Sequence, residues 1–86
     1  MKQKPPQSQL EAAKRKVQNI TGCTVTHAYV SKSKRWLYVH AECDDPQALR
    51  DLVLLSEKAN GAVTVYTHGN GFRYAFCIRP ANAELL

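Results

Sequence analysis

The sequence predicts an α+β domain whose elements run αββαββ, forming one four-stranded antiparallel sheet with two helices on one face. Three observations predict it. Apolar residues recur at helical intervals in two stretches, 10–20 and 48–59. Four other stretches read as β segments, in two pairs, each pair following a helical stretch. An Asn-Gly pair separates the last two of them, the strongest short hairpin signal a sequence offers.

Residues 1–7, MKQKPPQ, are charged, polar and proline-containing, and read as a flexible basic arm. The single domain then spans 8–80. Its first helix is expected to start at Ser8, because Ser8 and Glu11 have the S-x-x-E spacing of a capping box. Leu10, Ala13, Val17 and Ile20 form the buried stripe, and Gly22 suits the left-handed end. The segments CTVTHAYV (23–30) and RWLYVHAEC (35–43) follow, joined by the basic loop SKSK. A second helix begins at Asp44-Asp45-Pro46, with Asp45 as cap and Pro46 at the first helical position. Ala48, Leu49, Leu52, Val53, Leu55 and Ala59 are its apolar side, Leu54 lies off that stripe, and Asn60-Gly61 ends it. AVTVYTH (62–68), the turn Gly69-Asn70-Gly71 and FRYAFCIR (72–79) complete the β segments. Pro80 stops the last one, leaving 81–86 as a loose C-terminal tail.

At an offset of 39, Leu10 falls on Leu49 and Gly22 on Gly61, so the architecture is repeated although the identity is thin. A right-handed crossover through the second helix leaves a gap one strand wide, and the last strand fills it. RWLYVHA and FRYAFCI, the most apolar segments, then lie in the centre. This arrangement is a circularly permuted ferredoxin-like sandwich. Two helices cover one face of such a sheet, and the other face stays open.

Composition bounds the function. Eighty-six residues with 44% hydrophobic content make one small domain with a real core. No apolar run approaches the ~18 residues of a membrane helix, and no apolar stretch follows the N-terminal lysines as a secretory signal requires. Three cysteines, odd in number and far apart, do not form a disulfide framework and read as reduced thiols of a cytoplasmic protein. The net charge of +5 is uneven: residues 1–41 hold eight of the twelve basic residues and one acid, while 42–86 hold four bases and six acids. A basic face aimed at a polyanion is one reading, and spare solvated lysines are the other.

With Leu37, Val39 and Ala41 facing the helices, Trp36, Tyr38, His40 and Glu42 face outward. Inward Val63 and Val65 turn Thr64, Tyr66 and His68 outward, and an inward Phe72, Tyr74, Phe76 and Ile78 send Arg73 and Arg79 to the open face. In the first strand neither Val25/His27/Tyr29 nor Thr26/Ala28/Val30 is plainly the apolar set. The open face therefore gathers Trp36, Tyr38, His40, Tyr66, His68, Arg73 and Arg79, flanked by Lys32, Lys34 and Arg35. Lys14, Arg15 and Lys16 of the first helix are a further basic extension or simply a solvated face. Rings beside cations suit single-stranded RNA or DNA, since base–aromatic stacking contributes roughly 1–3 kcal/mol per base and cations hold phosphates.

The strategy resembles that of the RNA-recognition motif, in which a four-stranded sheet stacks bases on aromatics of its central strands. NGFRYAFC (70–77) is the nearest fragment to that family's signature octapeptide, matching at Gly71, Phe72 and Tyr74. It departs at the leading basic position, at Arg73 and at Cys77, and the full match would turn Phe76 and Ile78 to solvent. The likeness is one of architecture and surface chemistry, and the chain is not assigned to the family. The competing expectation gives the same face to a protein. The contact is then a homodimer, or a small regulator (a phage-type inhibitor, for instance) of a nucleic-acid-handling partner, because Trp, Tyr and Arg dominate interface hot spots.

No cofactor, metal or catalytic residue is expected. Cys23/His27 lie ~13 Å apart in an extended strand, and His40/Cys43 point to opposite faces, so neither pair chelates zinc. Glu42, Asp44 and Asp45 are the only acidic cluster, and helix capping accounts for Asp45. The Gly69-Asn70-Gly71 turn is not a phosphate loop, since no helix follows it.

Overall fold

The computed structural model describes residues 6–43, 45–69 and 71–86, with Pro6 and His68 given by their backbone alone. Helix α1 (Pro6–Thr21) leads into strands β1 (Thr24–Val30) and β2 (Leu37–Cys43). Helix α2 (Pro46–Lys58) leads into β3 (Ala62–His68) and β4 (Gly71–Ile78), and a 3-10 helix, Pro80–Leu85, ends the chain. The strands lie in the order β1-β2-β4-β3, every neighbouring pair antiparallel. The two most apolar segments are thus the central strands, as expected.

The core forms where two helical stripes meet one face of that sheet. Leu10, Ala13 and Val17 of α1 and Ala48, Leu52 and Leu55 of α2 pack with Leu37, Val39 and Ala41 of β2 and Tyr74, Phe76 and Ile78 of β4. Fully burying a side chain of the leucine or phenylalanine class contributes ~1.5–3 kcal/mol. β2 alternates buried and half-buried residues from Leu37 to Ala41, as a central strand with one covered face must.

Local chemistry sets the helix ends. Asp45 caps α2: its extended backbone (φ −101°, ψ 116°) lets Oδ1 accept from the Gln47 N–H at 3.0 Å, with Pro46 next. At the other end Asn60 takes the left-handed conformation (φ 53°). The Gly61 N–H then donates to the Ser56 carbonyl (2.7 Å) and the Asn60 N–H to that of Glu57 (3.4 Å), a Schellman ending. Gly61 serves close approach instead, because a Cβ there would collide with the Cys77 carbonyl and the Ile78 side chain. Gly22 ends α1 at φ 71°, its N–H donating to Gln18 O at 3.0 Å.

Four expectations are corrected. Helix α1 begins at Pro6, two residues before Ser8, because the locked φ of proline suits a first helical turn. Ser8 therefore lies inside the helix, and Glu11 pairs with Lys14 at 3.7 Å rather than closing a capping box. Ile20 and Val53 sit at the rims of their stripes and are exposed, at 42% and 39%. Ser56 is buried in α2, made tolerable by its Oγ donating to the Val53 carbonyl at 2.8 Å. Residues 80–85 are no loose tail: Ala83 is buried and Leu86 packs against the core.

Strand β1 carries a bulge. Val25 pairs with Ala41 and His27 with His40, so Thr26 is the extra residue. The β3–β4 hairpin closes with His68 opposite Gly71 and Gly69 left-handed at φ 60°. Asn70 of the expected turn, Asp44 of the acidic cluster, and Lys2 and Lys4 of the arm lie outside the described residues.

Candidate functional site

The face of the sheet turned away from both helices is built in rows of cross-strand neighbours. Tyr29, Tyr38, Cys77 and Ala62 form one row, and His27, His40, Ala75 and Thr64 the next. Glu42, Arg73 and Tyr66 form a third. Alternation carries the pattern past the strand ends to Trp36 and Arg79, whose guanidinium lies 5.1 Å from the Trp36 ring centroid.

The rows are unequal across the sheet. On the β1–β2 side rings crowd together: Tyr29 stacks on Tyr38 at 5.1 Å and on His40 at 5.7 Å. His27 lies 5.0 Å from Tyr29 and 5.9 Å from His40. Such spacings are those of favourable aromatic pairs, each contributing ~0.5–1.5 kcal/mol beyond burial. On the β3–β4 side the corresponding residues are Ala62, Thr64, Ala75 and Cys77, all small. The face is a wall of rings beside a shallow floor.

Two contacts close the floor at its Arg73 end. Arg73 Nη2 donates to Glu42 Oε1 at 2.6 Å, and Tyr66 Oη lies 3.3 Å from His40 Nδ1. Arg73, expected among the phosphate-binding cations, is thus engaged by a carboxylate across the strand pair. Burial, then the neighbouring His27 and Arg73, hold the His40 imidazole below its ordinary range, so it is neutral at pH 7. The phenol of Tyr38 is pushed up, chiefly by Cys77 opposite it and then by burial. Burial likewise raises the Cys77 thiol, against a hydrogen bond with Tyr38.

The other end of the face carries exposed cations. The β1–β2 connection is ordered: the Lys34 N–H donates to Ser31 O and the Ser31 N–H to Trp36 O, both at 2.9 Å. Ser31 Oγ accepts from the Trp36 N–H (3.1 Å) and Ser33 Oγ from the Arg35 N–H (3.3 Å), while Lys34 is left-handed at φ 61°. Lys32, Lys34 and Arg35 are exposed at this tip, next to Trp36 and Arg79.

The structure therefore brings together Trp36, Tyr38, His40, Tyr66, Arg73 and Arg79, with Lys32, Lys34 and Arg35 at one end. It does not bring Lys14, Arg15 and Lys16 to them, because α1 packs on the opposite face of the sheet. The backbone of His68 lies at the end of β3, and its side chain is outside the described residues. His27 and Tyr29 are members the sequence reading left unassigned. A signal for them was present: Val25 and Val30 are both apolar yet an odd number of residues apart, so both face inward only across a bulge.

Among the described residues, no group of three His, Cys, Asp or Glu side chains is placed to hold a metal ion. No described helix is long and apolar enough to cross a membrane. No protein-family model, curated protein or solved structure matches this chain.

Proposed function

We propose that this chain is a non-catalytic, cofactor-free binding domain that takes single-stranded nucleic acid on its open sheet face. One observation carries the reading: a wall of stacked rings beside a floor of small side chains, with exposed lysines and arginines at one end. A base laid on Ala75, Cys77 and Thr64 meets the Tyr38 and His40 edges of the wall. Trp36 offers a second stacking surface, and Lys32, Lys34, Arg35 and Arg79 meet the phosphates. Duplex is disfavoured, since its bases are already stacked on each other. The element order and the 1-2-4-3 strand order fit a ferredoxin-like sandwich cut open between its first strand and first helix, and we adopt that description. The free thiols support a cytoplasmic setting.

The Arg73–Glu42 pair favours a second reading, because it removes a free cation from the middle of the face. A protein partner, including a second copy of this chain or the target of a small phage-type inhibitor, prefers such a neutralised aromatic centre. One experiment separates the two. Labelled single-stranded RNA, single-stranded DNA and duplex DNA are titrated at two salt concentrations, following anisotropy and Trp36 emission. Steep salt dependence with quenching on single strands is expected. No binding at low salt, with a dimer mass by light scattering, assigns the face to protein.

A further inference from the structure

The covered face holds two thiols that the sequence separates by nineteen residues. Thr24 and Glu42 are cross-strand partners, so one step outward sets Cys23 opposite Cys43 at the open end of the β1–β2 hairpin. Their side chains share the covered face with Val25 and Ala41, Cys23 within the core and Cys43 packed against it. Cys23 is 4% exposed and Cys43 only partly buried, so one thiol is sheltered and its neighbour is accessible. Both are free.

We propose that Cys23 and Cys43 are a reversible dithiol–disulfide pair that clamps the junction of α1 with β1 to the junction of β2 with α2. Directly opposed residues of an antiparallel pair lie ~4.5–5.5 Å apart at Cα, within the range a disulfide spans. No other pairing competes. Cys43 is opposite Phe72 in β4, so Cys77 lies five residues further on, ~17 Å along the strand, and faces the other side of the sheet.

The chemistry balances with a low-molecular-weight disulfide such as oxidised glutathione as oxidant. The more accessible Cys43 thiolate attacks it, forming a mixed disulfide and expelling one glutathione thiolate. Cys23 loses its proton, attacks the Cys43 Sγ, and expels the second. Two protein thiols are oxidised, one oxidant disulfide is reduced, and the two thiol protons end on the two glutathiones. Burial raises the Cys23 thiol to about 11, against its Thr21 hydrogen bond and with Cys43 and Asp45 adding to the rise. The second step therefore accelerates as pH rises from 7 to 9. The reduced pair is the resting state in a cytoplasmic setting, and the bond forms under oxidising challenge. The inference is independent of what the open face binds.

The test uses the full chain carrying Cys77→Ser, incubated folded with oxidised glutathione and then alkylated. Intact mass is expected to fall by two hydrogens, and trypsin to release Val17–Lys32 joined to Trp36–Arg50. Dithiothreitol should restore both free peptides, and the oxidised protein should unfold at higher urea than the reduced one, because the bond constrains the unfolded chain. Glutathione retained on Cys43 without the linked peptides, or linkage that forms only in urea, overturns the proposal. In the wild-type chain, linkage through Cys77 from the folded state overturns it equally.

Discussion

The two faces of this sheet are made by alternate residues of the same strands, yet they differ sharply in burial and polarity. On the covered face Leu37, Val39, Tyr74, Phe76 and Ile78 are almost wholly removed from water. On the open face Tyr29 and Tyr66 remain about 40% exposed, and the polar groups pair with each other: Arg73 with Glu42, Tyr66 with His40. The difference teaches that burial and exposure are divided here by pleat, one residue apart along each strand. Substitutions on one face should leave the other face's property nearly untouched.

The largest expected effect is on the covered side. Phe76→Ala should cost about 3–5 kcal/mol in urea unfolding, through lost burial and the cavity left behind. A loss below about 1 kcal/mol would mean that the covered face is not the folding core.

Next in size is Trp36→Ala at the end of the open face. It should weaken single-stranded RNA binding by about 1–3 kcal/mol in anisotropy titrations while the urea midpoint moves little. Unchanged affinity in a folded variant removes stacking from the proposed function. A smaller effect is expected at the hairpin tip, where Lys32→Ala and Lys34→Ala should each lower the slope of log affinity against log salt by about 1. A slope unaltered by both would place the phosphates elsewhere.

The smallest effect is a pH dependence. His40 is held below the ordinary 6.5 of a histidine, so the unfolded chain takes up the proton first as pH falls. Its contribution to stability is complete above about 6.5 and is lost as pH drops from there through the folded value. Urea midpoints at pH 7.5 and 5.5 should differ more in the wild-type chain than in His40→Gln. Equal differences would show that His40 is not the group responsible.

Much of this was legible in the residues alone. Period 2 in RWLYVHA and FRYAFCI is clean, so the inward sets of β2 and β4, and with them Tyr38, His40 and Arg73 outside, follow from local pattern. The Asp45-Pro46 start and the Asn60-Gly61 stop of α2 are local chemistry as well. What stayed hidden depends on a partner distant in the chain. β1 looked undecided because the Thr26 bulge shifts its alternation midway, which puts Val25, Ala28 and Val30 inside and His27 and Tyr29 outside. The charge of Arg73 was visible, but the carboxylate that engages it sits 31 residues earlier. Cys23 and Cys43 became neighbours only through register, and Ala83 reached the core only through packing against α1. The sequence by itself determined the order of elements, the central strands and which face would be covered, because these rest on periods of 2 and 3.6 residues. The tertiary structure alone decided the membership and pairing of the open face, because cross-strand register brings together side chains that no local rule relates.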